Sequence, residues 1–165
     1  YRVRRRLHQL AGEATERTGG DTAGTAAILA RHFSLAGDAA RTWRYARLSA
    51  ERARSAYANP EAASLYRMAL DAARRLPEIP AAERVSAWTS LGDVCRLAGL
   101  FEESLAAYRS GYRLVGNDPL ARADLLRRLG RTEAARLAYA EAIALTANEP
   151  ERRFLERRLA ELASG

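Results

Sequence analysis

The chain has few of the residues that staple, break or anchor a fold. Its 165 residues include a single cysteine, Cys95, so no internal disulfide can form and nothing calls for an oxidising compartment. Five prolines and eleven glycines are too few to break up long regular segments, and aromatic residues make up only 7%. No stretch approaches the roughly 18 consecutive apolar residues of a membrane span, so no membrane is expected. The opening segment, Tyr1-Arg-Val-Arg-Arg-Arg6, lacks the apolar run of a signal peptide. No methionine stands first, and the expectation is a domain of something longer, working in the cytoplasm.

Lysine is missing altogether. All 27 cationic residues are arginines, set against 20 acidic residues for a net charge of +7. Such an excess invites a nucleic-acid reading, because basic patches bind phosphate and release counterions. The arginines are spread along the chain and interleaved with glutamates, the pattern of solvated helix faces. Without lysine there is no Gly-x4-Gly-Lys-Ser/Thr phosphate loop. There is no Cys-x2-Cys, His-Glu-x2-His or acidic calcium loop either, and His8 and His32 fall on different predicted helices with no ligand cluster beside them. No cofactor and no metal are expected. No acid, base and nucleophile set can be assembled, so catalysis is not expected.

What the chain does have is helix-forming sequence. Hydrophobic residues make up 48%, and alanine, leucine, arginine and glutamate dominate. Apolar residues recur at helical spacing between short Gly, Pro, Asn or Asp interruptions, which predicts an all-α fold of about nine antiparallel helices. The first spans residues 2–17 and stops at Thr18-Gly-Gly20. The second spans 22–36, with Ile28, Leu29, Phe33 and Leu35 as its apolar set, and ends at Gly37-Asp38. The third spans 39–57. Asn59-Pro60 then reads as a capping asparagine and a first-turn proline opening a helix with Leu65, Ala69, Ala72 and Leu76 on one stripe.

Pro77 and Pro80 bracket the next loop, and helices follow over 81–98 and 101–115. Asn117-Asp118-Pro119 repeats the cap-then-proline device, and Gly130-Arg-Thr132 separates the seventh helix from the eighth. A last helix follows Asn148-Glu-Pro150. Its Phe154, Leu155, Leu159 and Leu162 are expected inward, with Arg152, Glu156, Arg157 and Glu161 outward in i, i+4 pairs. One domain is predicted over 1–165, with irregular helices over 1–58, hairpins over 59–148 and a capping helix over 149–165.

An internal repeat underlies this pattern. Gly99, Ser104 and Tyr108 match Gly130, Ala135 and Tyr139: a turn glycine, a small residue five positions on and a tyrosine four after that. A third copy, from Tyr57 through Ala62 to Tyr66, replaces the turn glycine. Trp88-x-x-Leu91-Gly92-x-x-Cys95, followed by Gly99, Ser104 and Tyr108, resembles the tetratricopeptide repeat. Cys95 stands where that pattern prefers tyrosine and Gly111 where it prefers alanine, and the copies are unevenly spaced. The resemblance implies an α–α superhelix, with Gly92 and Ser104 allowing close helix approach and Trp88, Leu91 and Tyr108 filling the space between hairpins. Cys95 is read as a buried small hydrophobe, and Tyr66, Tyr108 and Tyr139 as core.

Residues 7–76, with Leu29-Ala-Arg-His-Phe-Ser-Leu-Ala-Gly-Asp38 and Ala58-Asn-Pro-Glu-Ala-Ala63, also resemble the helical region after the ATPase module of bacterial multidomain regulators, some linked to nucleotide-cyclase domains. Residues 124–162, with Leu125-Leu-Arg-Arg-Leu-Gly-Arg-Thr-Glu-Ala-Ala135, resemble the C-terminal extension of certain extracytoplasmic-function sigma factors.

In tetratricopeptide proteins the first helix of each hairpin lines a concave groove. Carried onto this chain, that implies Arg47, Glu51 and Arg54 on the third helix, Thr89, Asp93 and Arg96 on the fifth, and Asp124, Arg127 and Arg128 on the seventh. Arginine in excess there suits an acidic or carboxylate-bearing peptide, which guanidinium binds in bidentate fashion. The implied partner is a protein or peptide, or other domains of the same full-length protein, in signalling or transcription control. The competing reading is a nucleic-acid-associated module using an arginine-rich face. A homodimer through the terminal helices, and a plain spacer role, are left open.

Overall fold

The computed structural model describes residues 2–18 and 22–163, and all regular structure among them is helical. Among the described residues nine helices follow one another: α1 (Arg2–Thr18), α2 (Thr22–Ala36), α3 (Ala39–Ser55), α4 (Asn59–Ala73), α5 (Ala81–Leu97), α6 (Phe101–Tyr112), α7 (Pro119–Arg128), α8 (Thr132–Leu145) and α9 (Glu149–Glu161). Each packs chiefly against its neighbours in the chain, antiparallel, giving an array of helical hairpins in which α3 meets α4, α5 meets α6 and α7 meets α8. The two-glycine stop expected at Gly19 and Gly20 lies outside the described residues, as does Tyr1. No helix among the described residues is long and apolar enough to cross a membrane.

Four of the turns that reverse the chain, those after α2, α3, α5 and α7, share one geometry. Gly37, Gly99 and Gly130 take positive φ values of 79°, 77° and 69°, and Tyr57 adopts the same left-handed conformation at 59°. After each, the next residue's N–H returns to a carbonyl five residues back: Asp38 to Phe33, Ala58 to Ala53, Leu100 to Cys95 and Arg131 to Leu126. This is the glycine-favoured helix end, satisfied by backbone alone. The expected cap at Asn59 is therefore corrected. Ala58 is the capping residue, and the Asn59 side-chain oxygen is buried without a hydrogen-bond partner. Asp38, Asp118 and Asn148 do cap α3, α7 and α9, accepting from the N–H three residues on.

Packing rests on alanine and tyrosine. One core runs from α2 to α6, a second joins α7, α8 and α9, and a small cluster of Val85, Tyr108, Val115 and Leu125 links the two. The Leu65, Ala69, Ala72 and Leu76 stripe is buried. Cys95 is fully enclosed, and burial pushes its thiol up. Three apolar expectations are corrected: Ile28, Leu35 and Phe154 are exposed at 53%, 44% and 41%. Alanines at 26 and 30 complete the inner face of α2 instead, and the Phe154 ring lies under the Arg158 guanidinium. The charge pairs of α9 also differ. Arg153 meets Glu149 and Arg158 meets Glu161, while Arg152 reaches back to the Thr146 carbonyl.

Candidate groove

The residues implied for the groove line three adjacent hollows formed largely by α3, α5 and α7. Arg54, Asp93, Arg96, Arg127 and Arg128 converge on a cavity of about 540 Å³, floored by Val94, Leu97 and Tyr108. Thr89, Asp93, Asp124 and Arg128 line a neighbouring cavity of about 410 Å³, which Asp118 also faces. Arg47 and Glu51 belong to a third, beside Trp43 and Leu48 on α3. Arg47 lies over the Trp43 ring at 4.6 Å and pairs with Glu83 of α5, so its charge is committed to holding two helices together. The Thr89 hydroxyl donates to the Val85 carbonyl of its own helix.

The hairpins repeat one side-chain device. In α3, Glu51 pairs with Arg54 at 2.7 Å and accepts the hydroxyl of Tyr66, fifteen residues later on α4. In the next hairpin Asp93 of α5 accepts the Tyr108 hydroxyl of α6 at 2.7 Å, again fifteen residues on, and Arg96 lies near enough to that hydroxyl to influence it. In the third, Asp124 pairs with Arg127 at 3.0 Å, and Arg127 meets Tyr139 of α8. Each copy places an acid, then an arginine three residues on, then the left-handed turn, then the tyrosine. The tyrosine rings are core as expected, but their hydroxyls reach the groove. The signal for this was the constant acid-to-tyrosine spacing, which a search for helical periodicity on one helix does not see.

The electrostatics follow from this packing. Burial and the Glu51 hydrogen bond push the Tyr66 hydroxyl up to about 12. Burial works to raise the Glu51 carboxyl, but hydrogen bonds from Tyr66 and Arg54 more than offset it and hold the group low. Burial disfavours the Arg128 cation, yet its bonds to Asp93 at 2.9 Å and its pairing with Asp124 outweigh that and raise its affinity for the proton. The Asp93–Arg128 bridge is shared by two of the hollows. On one side Arg54, Arg96 and Arg127 gather; on the other Asp93, Asp118 and Asp124 face a single arginine. Arg96 alone among the groove arginines forms no ion pair with a carboxylate among the described residues, and it is exposed.

Among the described residues no group of three or more His, Cys, Asp or Glu side chains is arranged to hold a metal ion. Neither a known protein-family pattern nor a curated protein matches the chain.

Proposed function

We propose that this chain is a tetratricopeptide-like interaction scaffold whose groove holds an acidic segment of a partner protein, and that it serves as the partner-binding arm of a larger bacterial regulator in the cytoplasm. It acts by binding and not by catalysis. The observation that carries this reading is the convergence of Arg54, Arg96, Arg127 and Arg128, from three successive hairpins, on one cavity floored by Leu97 and Tyr108. Arg54, Arg127 and Arg128 are already neutralised by carboxylates of the groove. Arg96 lies beside the Tyr108 hydroxyl but forms no ion pair with a carboxylate among the described residues, and its planar guanidinium is suited to one. Arginines and carboxylates are paired and interleaved here and do not gather into the continuous basic face that tracks a phosphate backbone, which favours a short peptide over a nucleic acid. The resemblances to regulator appendages support the wider setting.

The test is selection from a displayed random-peptide library with the folded chain, repeated with Arg96→Glu. Enrichment of Asp- and Glu-rich peptides by the wild type, and loss of that enrichment in the variant, is the expected result. Peptides with no acidic bias, or the same peptides retained by Arg96→Glu, would sink the proposal. Arg96 is the position to change because Arg127 also ties α7 to Tyr139, so replacing it would disturb packing as well as charge.

A further inference from the structure

The first two helices enclose a second basic site, remote in sequence from the groove. Arg4, Arg5 and His8 of α1 and Leu35 of α2 line a hollow of about 350 Å³. Its charge is not neutralised from within. The acids of α1, Glu13 and Glu16, and Asp38 at the start of α3 all turn to Arg41, at 3.4 to 3.6 Å. Neither Arg4 nor Arg5 pairs with a carboxylate among the described residues.

The site is also held in place. Arg5 Nε donates to the Ala36 carbonyl at 3.0 Å, where α2 ends. Gly37 leaves the space that Arg5 fills, since a Cβ there would lie 2.9 Å from the guanidinium carbon. His8 Nδ1 stands 3.1 Å from His32 Nδ1, so one ring donates to the other and His8 keeps Nε2 for a ligand. With His32 as the donor, His8 carries its proton on Nε2 and presents a donor there.

We propose that this hollow binds a phosphate monoester, with Arg4 and Arg5 taking its oxygens and His8 Nε2 donating to a third. A guanidinium fork matches a phosphate group bidentately, and fixing Arg5 beforehand lowers the cost of binding. The hollow's volume of about 350 Å³ leaves room for an organic group beside the phosphate. That group is either a soluble molecule or a lipid. The lipid source has its own signal, because α1 exposes Val3, Leu7 and Leu10 at i, i+4 and i+7.

Glycerol 3-phosphate, titrated into the full chain and followed by phosphorus NMR, tests the shared chemistry. Flotation with phosphatidylcholine vesicles, with and without phosphatidic acid, separates the two sources. Saturable binding of glycerol 3-phosphate is expected, weakened about tenfold by Arg4→Gln and changed less than about twofold by Arg6→Gln, which lies on the same helix but outside the hollow. Arg4 makes no hydrogen bond within the described chain, so its replacement leaves the fold intact. Flotation that needs phosphatidic acid and is lost in both Arg4→Gln and Leu7→Ser assigns the ligand to lipid; binding of the soluble probe without flotation assigns it to a free monoester. No response to glycerol 3-phosphate, or equal losses at Arg4 and Arg6, would overturn the proposal.

Discussion

The Tyr108 ring rests against Gly92 of the facing helix while its hydroxyl donates to Asp93, the next residue along. A Cβ at position 92 would meet the ring edge and lie 2.8 Å from Tyr108 Cζ, closer than carbon atoms tolerate. Gly92→Ala should therefore destabilise the fold. The gain of about 1 kcal/mol in helix propensity is outweighed by overpacking of about 1–3 kcal/mol, leaving a net loss of about 1 kcal/mol in urea unfolding. Adding Tyr108→Leu, which vacates the ring, should make the Gly92→Ala step neutral or favourable. If alanine costs as much with leucine at 108 as with tyrosine, the ring is not the obstacle.

Tyr57 occupies the turn position that Gly99 and Gly130 hold in the other two copies, and it does so at φ 59° with its side chain 85% exposed. Holding a residue with a Cβ in the left-handed region costs about 1 kcal/mol, and little packing is lost on removing so exposed a ring. Tyr57→Gly is expected to raise stability by about 0.5–1 kcal/mol despite the greater freedom glycine gives the unfolded chain. The reverse change, Gly99→Ala, should cost about 1 kcal/mol. Equal thermal midpoints for all three proteins would remove strain from the account.

The Glu51–Tyr66 hydrogen bond fixes the pH limits of its hairpin. Tyr66 is raised from its ordinary 10.0 to about 12, so the neutral hydroxyl's contribution is complete below pH 10 and is lost as pH climbs from 10 towards 12. Glu51 is lowered from 4.5, so its contribution is present above that value and is lost as pH falls through its folded value. Tyr66→Phe should cost about 1 kcal/mol at neutral pH, a modest figure because Glu51 is half exposed. Urea midpoints should show the gap between the two proteins narrowing below pH 4.5 and closing as pH rises above 10. A gap that does not change with pH would mean that the phenylalanine ring, and not the lost hydrogen bond, is responsible.

The helices and their order were legible because glycine, asparagine and proline interrupt an otherwise uniform apolar rhythm. Periodicity places a stripe but not its edges. Ile28 and Leu35 share the α2 wheel with Leu29 and Phe33, and only the packed array shows that alanines fill the positions nearer α3. Asn59 carries a capping side chain, yet the turn at Tyr57 delivers the backbone to Ala58, as those at Gly99 and Gly130 deliver it to Leu100 and Arg131, none of which caps through a side chain. The groove residues could be placed on their helices from the repeat, and Arg54, Asp93, Arg96, Arg127 and Arg128 do meet. What was hidden is that most of these charges are spent on one another. His8 and His32, 24 residues apart, meet only through the packing of α1 on α2.

Arg128 makes the strongest case for a groove charge that maintains the array. It bridges Asp93 of α5 and Asp124 of α7, across a junction where α6 and α7 pack sparsely. Its side chain is 20% exposed and its partners are 28% and 32% exposed, so the bridge is only partly screened by water. Arg128→Gln keeps much of the side-chain volume but leaves two carboxylates facing each other, which should cost about 2 kcal/mol. Added salt should reduce that loss, because it screens the new repulsion, and Asp93→Asn in the same chain should recover part of it. Hydrogen exchange would show where the loss falls. In an array where each unit contacts its neighbours, weakening one junction frees the units beyond it, so amides of α7, α8 and α9 should exchange faster while those of α3 and α4 keep their protection. A uniform rise in exchange along the chain would indicate a single cooperative unit, and a loss insensitive to salt would rule out charge as its cause.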